Sequence, residues 1–114
     1  MKFSESLKKN KDFHIVYNYG DSKADSYLVM YVRPNGLNEN RLGISVSKKI
    51  GNSVVRHHLT RLIRESYRLS EERFHIGWDL VVVVRKRAAH ATYHQIDESL
   101  LKLAGLHNLI REEN

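Results

Sequence analysis

Residues 48–68 of this 114-residue chain read KKIGNSVVRHHLTRLIRESYR, and the groups there that could do chemistry are cations and imidazoles rather than nucleophiles. Wound as a helix at about 100° per residue, the run puts Val55, Leu59, Leu62, Ile63, Ser66 and Leu69 on one face. His57, Arg61, Arg64 and Arg68 fall on the opposite face. At i, i+4, i+7 and i+11 they form a ridge roughly 16 Å long, comparable to several phosphates along a nucleic-acid strand. A charged ridge opposite an apolar face is ordinarily just a solvated face. Here only Glu65 interrupts the positive charge, so the i,i+4 acid–base pairing that makes a surface helix self-sufficient is largely missing. Lys48 and Lys49 stand ahead of the helix, and Gly51 and Asn52 suit its start, Asn because its side chain accepts a bond from an early helical N–H. First-turn amides, the positive end of the helix dipole and the two lysines together suit a phosphate. Arg56 differs from the rest, because its wheel position near Ile63 and Tyr67 puts it at the border of the buried face.

Bond-making chemistry has no comparable support. Asp12, Asp21, Asp25, Asp79 and Asp97 are scattered over different elements, whereas a two-metal nuclease needs clustered carboxylates. His57 and His58 are adjacent and point about 100° apart on a helix, which is poor geometry for chelating one ion. His90 and His94 have i,i+4 spacing but straddle a helix start and lack the intervening Glu of a metalloprotease. Gly51 is isolated, with no glycine-rich phosphate loop around it. A binding module is expected, with no metal or cofactor held by the protein alone.

Composition narrows the partner. One domain spanning residues 1–114 is the expectation for this length, with a net charge of +6 that favours a polyanion. No run of about 18 apolar residues exists and the start, MKFSESLKKN, lacks an apolar signal core, so a cytoplasmic protein without a membrane partner is expected. Cysteine is absent, which removes disulfides, thiol nucleophiles and thiolate metal sites.

The elements that must position the ridge can be read from periodicity. Asn10 suits the cap of a first helix carrying Phe13, Val16 and Tyr17, with Gly20 as a left-handed stop. Residues 21–26 look turn-like. Residues 27–33 and 41–47 alternate as strands and, joined by Pro34-Asn35-Gly36 and a polar loop, predict an antiparallel hairpin. Tyr27, Val29 and Tyr31 would then share a face with Gly43, Ser45 and Ser47, a shallow trough in which bases could stack on tyrosine rings. Packing against another helix is the plainer role for such tyrosines. Residues 78–84 are apolar nearly throughout, as in a central strand covered on both faces. Arg85, Lys86 and Arg87 follow as a second basic patch, and Thr92 with Gln95 forms a capping box for a last helix carrying Ile96, Leu100, Leu103 and Ala104 inward. The predicted fold class is an α+β two-layer sandwich in the order α-β-β-α-β-α, a small mixed sheet with its helices on one face. The default crossover of its βαβ unit is right-handed.

Residues 47–65, SKKIGNSVVRHHLTRLIRE, resemble the RNA-binding signature of the bacterial ribonuclease P protein subunit, approximately SKKxGNAVxRNxxKRxIRE. Residues 42–47, LGISVS, and the earlier Asp12-Phe13-x-x-Val16-Tyr17 are similar to that family as well, so the resemblance covers nearly the whole chain. Two positions depart from the pattern: His57 replaces an Asn and keeps a donor, while Thr60 replaces a Lys and drops a charge. The resemblance implies a ribosomal-protein-domain-2-like fold with the rarer left-handed crossover. It implies a protein cofactor of a ribozyme, monomeric when free, whose RNA partner hydrolyses the phosphodiester with magnesium ions held mainly by that RNA. The substrate would be precursor tRNA, trimmed of its 5′ leader. Lys48, Lys49, Arg56, His57, Arg61, Arg64 and Arg68 would bind the catalytic RNA, and Phe13, Tyr17 and Tyr31 would line a cleft for the single-stranded leader. Three other classes stay open on the residues alone: a structural ribosomal protein, a DNA-binding repressor, and a protein-only endonuclease. The repressor lacks the short helix and tight turn ahead of its recognition helix.

Overall fold

The structure, a computed structural model, describes residues 4–112. Five strands, β1 (Ser4–Ser6), β2 (Asp21–Ala24), β3 (Leu28–Pro34), β4 (Asn40–Ser45) and β5 (Trp78–Val84), form one sheet in the order β1-β4-β5-β3-β2. Three helices accompany them: α1 (Asn10–Tyr19), α2 (Ser53–Ser70) and α3 (Tyr93–Leu106), with short 3₁₀ turns at Glu71–Arg73 and Lys86–His90. The sheet is mixed, β5 running parallel to β4 and antiparallel to β3, while β1 runs parallel to β4.

The α+β class and the small mixed sheet are as expected, but the hairpin is not. β3 and β4 never pair, because β5 lies between them and bonds both. Its Leu80, Val81 and Val82 are fully buried, so its backbone groups need ladder partners on both edges. Asn35 secures the loop that passes beside β5: its N–H donates to the Gly77 carbonyl at 2.8 Å and its Nδ2 to the Asp79 carboxylate at 3.0 Å.

Two edge strands join the expected set. β2 forms in the polar stretch read as a turn, with all four residues exposed and its backbone paired to β3. The turn proper lies at Asp25, whose Oδ1 accepts from the amides of Tyr27 and Leu28, both at 2.9 Å.

Strand alternation divides the sheet between two cores. Leu28, Met30, Val32, Leu42, Leu80 and Val82 meet Leu59, Ile63 and Tyr67 of α2 and Ile96, Leu100 and Leu103 of α3. On the other face Val81 joins Leu7 and Val16, with Phe13, Tyr17, Tyr31 and Val83 packed around them. Helices on one face therefore describes α2 and α3 only; α1 covers the opposite face. Its inward residues are few, Val16 flanked by Phe13 and Tyr17, enough for one small satellite core.

Local expectations fared unevenly. Asn52 caps α2, accepting from the Val55 amide at 3.0 Å, and Thr92 with Gln95 forms both halves of the capping box on α3. Asn10 is the first residue of α1 rather than its cap; Lys9 holds that place without a side-chain bond. Gly20 is extended at φ −86°, not left-handed, and is required by close approach: a Cβ there would lie 2.6 Å from the Val16 carbonyl oxygen and 2.7 Å from that of Val32. The buried arc of α2 is also turned by about one position. Leu69, expected inside, is 61% exposed, while Tyr67 is fully buried with its hydroxyl bonded to Ser4 at 2.7 Å and Asn40 at 3.3 Å.

Candidate nucleic-acid interface

The ridge on α2 stands as the wheel placed it: His57, Arg61, Arg64 and Arg68 are all exposed, as are Lys48 and Lys49 in the turn ahead of the helix. Its charge is not uniform along its length. Arg68 grips Glu65 with two bonds, at 2.6 and 3.0 Å, and each group stabilises the ionised form of the other, lowering the Glu65 pKa and raising that of Arg68. Arg64 reaches across to β1 and donates to Ser6 Oγ at 3.1 Å. The Ser6 hydroxyl is neutral, so among the described residues Arg68 is the ridge cation held by a carboxylate, and the net positive charge lies toward the helix N-terminus, where Ser53, Val54, His57, His58 and Arg61 line an open hollow of about 540 Å³. Field and helix dipole act in the same sense there, both favouring an anion.

Arg56 does not belong to that ridge. The rotated buried arc draws it half inside, with its Nε buried and without a hydrogen-bond partner among the described residues. Thr60, the position that lost a charge, turns its hydroxyl back to the Arg56 carbonyl at 3.0 Å.

The second surface is a cleft between α1 and the end of β4. Asn10, Phe13, His14 and Tyr17, at i, i+3, i+4 and i+7, face Ile44, Ser45 and Val46 across about 420 Å³. Phe13 and Tyr17 lie 6.2 Å apart between ring centroids, and Tyr17 meets Tyr31 edge to face at 5.0 Å, so the three expected aromatics form one continuous cluster. Tyr31 forms the inner end of the cluster rather than the cleft wall. Gly43 supplies the seat for Phe13: a Cβ there would lie 2.7 Å from Phe13 Cζ.

The predicted trough itself is not present in that form. Tyr31 and Gly43 share a row, Ser22–Tyr31–Val81–Gly43, but Val81 of β5 separates them. Tyr27 precedes β3 and packs with the core on the other face, where Arg87 lies 5.9 Å over its ring. His14, for which the sequence suggested no role, and Asn10, expected only as a helix cap, also line the cleft, and their spacing from Phe13 and Tyr17 is the signal that points to them.

Ridge and cleft meet at one place. Ser45 and Val46 form a cleft wall, and the chain then runs through Lys48 and Lys49 to the Asn52 cap. Because β5 is parallel to β4, the exposed Arg85, Lys86 and Arg87 leave the sheet at this same end. Cationic side chains thus lie beside exposed ring surface, the two features that phosphates and unpaired bases require. This surface offers no assembled acid–base or metal machinery: among the described residues no group of three His, Cys, Asp or Glu side chains is placed to hold a metal ion. No helix among them is long and apolar enough to cross a membrane.

Comparison with known proteins agrees with this geometry. The ribonuclease P protein component of Lachnoclostridium phytofermentans is 54% identical over 107 residues, covering 94% of this chain and 92% of that protein. That of Alkaliphilus oremlandii is 43% identical, with 96% of each chain covered. Among solved structures, the RNase P protein of Staphylococcus aureus superposes with a TM-score of 0.86 at 36% identity, over 93% of this chain and 97% of that one. The RNase P protein of Thermotoga maritima gives 0.81 at 33% identity, over 87% and 94%. The family model for ribonuclease P matches residues 1–107, and with the fold and the cationic helix in the places described, the chain belongs to the ribonuclease P protein family.

Proposed function

We propose that this chain is a single RNA-binding domain that assembles with a catalytic RNA and helps it remove the 5′ leader from precursor tRNA. The ridge from Lys48 and Lys49 through His57, Arg61 and Arg64 binds the RNA subunit. The cleft of Phe13 and Tyr17, backed by Tyr31, takes the single-stranded leader by stacking. The observation that carries this reading is the adjacency of the two surfaces at the β4–α2 connection, so that one face meets a folded RNA and a strand leaving it. Arg68, paired with Glu65, contributes less charge than its place on the ridge implies, and Arg56 serves as much to seat α2 as to bind.

In this mechanism the protein lowers electrostatic cost and positions the leader, and the RNA breaks the bond. Magnesium is assigned to the RNA, in keeping with the engagement of the carboxylates here. Asp79 is bound by Arg41, Asp97 by Ser66 at 2.7 Å, and Asp25 by Ser99 at 2.6 Å. The free protein is a cytoplasmic monomer.

The decisive experiment adds the purified, nuclease-treated chain to a bacterial ribonuclease P RNA at low magnesium and follows leader release. Cleavage that needs both components supports the reading. Cleavage by the protein alone would identify a protein-only endonuclease, and no stimulation of the RNA would return the chain to a structural RNA-binding role.

A further inference from the structure

The α1 face of the sheet carries a charged network that neither the ridge nor the cleft uses. Asp79, on the central strand and 2% exposed, receives Arg41 in a two-pronged grip: Nε to Oδ1 at 2.8 Å and Nη2 to Oδ2 at 2.7 Å. Asn35 Nδ2 adds a third donor at 3.0 Å. A carboxylate buried this deeply requires such partners, and in return it fixes the plane of the guanidinium. The remaining nitrogen, Nη1, is thereby left 3.8 Å from Asp12 Oδ2 in the first turn of α1. Arg41 and Gly43 are two apart on β4 and share a face, as Asp12 and Phe13 are consecutive on α1. One stretch of strand thus anchors Asp12 and seats the ring beside it.

We propose that Arg41 is a positioning residue for the cleft: held flat by the buried Asp79, it tethers Asp12 and so sets where Phe13 rests on Gly43 and how far α1 stands from Ser45. This rests on the assignment of the cleft to the leader. The tether is the weak link of the chain, a longer contact between groups that are each partly exposed, and it can yield while the Arg41–Asp79 pair persists.

The test therefore leaves the buried pair intact, since removing Arg41 would strand the Asp79 charge and strongly destabilise the fold. Holoenzymes carrying Asp12→Asn and Asp12→Glu are compared on precursor tRNA. Asp12→Asn is expected to raise KM about 3- to 5-fold, with kcat and inhibition by mature tRNA unchanged. Asp12→Glu, which keeps the charge and can still span the gap, is expected to restore KM. An unchanged KM for Asp12→Asn overturns the proposal, as does an Asp12→Glu variant no better than Asp12→Asn. Phe13→Ala run in parallel separates the layers. If it weakens precursor binding while Asp12→Asn does not, the tether is wrong and the cleft stands; if Phe13→Ala is also without effect, both fall.

Discussion

Tyr17 meets Tyr31 edge-on, with ring centroids 5.0 Å apart and planes at 73°, although the whole of β2 intervenes between them in the chain. The contact welds α1 to β3 and makes Tyr31 the backing of the cleft. Replacing Tyr31 by Ala should leave assembly with the RNA subunit intact and lower the preference for precursor over mature tRNA through the lost support of Tyr17, by less than the about 1 to 3 kcal/mol of one base stack. Equilibrium binding of the two tRNAs to the variant holoenzyme measures this, and an undiminished preference would remove Tyr31 from the cleft.

Arg61 and Arg68 lie on one ridge but in different electrostatic states. Arg61→Ala should reduce the dependence of RNA-subunit affinity on salt by about one unit of slope, the signature of one lost phosphate contact. Arg68→Ala should change it less, because Glu65 already holds that guanidinium. Conversely, Glu65→Gln should release Arg68 and steepen the slope. Filter-binding titrations across salt concentrations read all three.

Gly43 is buried, and a methyl group there meets the ring of Phe13 at 2.7–2.9 Å and Leu7 Cβ at 3.2 Å. Gly43→Ala should therefore cost about 1–3 kcal/mol of stability and lift Phe13 into the cleft, weakening precursor binding further than RNA-subunit binding. Denaturant unfolding with the two binding assays separates those effects.

Burial raises the pKa of the Tyr67 hydroxyl, against the opposing bonds from Ser4 and Asn40. The folded state thus keeps its proton at a pH where the unfolded chain gives it up. The contribution to stability is therefore fully present below pH 10, the ordinary tyrosine value, and is lost as pH rises through the raised one. Tyr67→Phe should lose about 1 kcal/mol at neutral pH, from the missing hydrogen bonds, yet flatten the loss of stability above pH 10. Urea unfolding across the alkaline range tests it.

The cationic helix was legible because its signals are local. Apolar spacing near 3.6 residues persists through α2, and Asn52 marks its start. Placing Tyr67 among the interior residues was harder, since a tyrosine counts as half polar until Ser4 and Asn40 are known to meet its hydroxyl. Strand adjacency was not legible at all. Nothing in residues 28–45 announces that Trp78–Val84 will lie between them, so the natural local solution, a hairpin, was wrong. β2 escaped notice for the opposite reason: Asp-Ser-Lys-Ala has no apolar alternation, and only its backbone ladder makes it a strand. The aromatic cluster was identified by resemblance, while the Arg41–Asp79–Asp12 network depends on three elements meeting and has no one-dimensional signature.

The central place of β5 also bears on how the molecule is made. During synthesis the N-terminal part of a chain emerges first, yet here β1 with β4 and β2 with β3 remain two unjoined ribbons until residue 84 is available. Contacts this distant in sequence slow folding. The nascent polypeptide must carry two open hydrogen-bonding edges and the apolar residues beside them until the start of its final third closes the gap, which makes this late segment the keystone of biogenesis and the preceding stretch a natural client for chaperones.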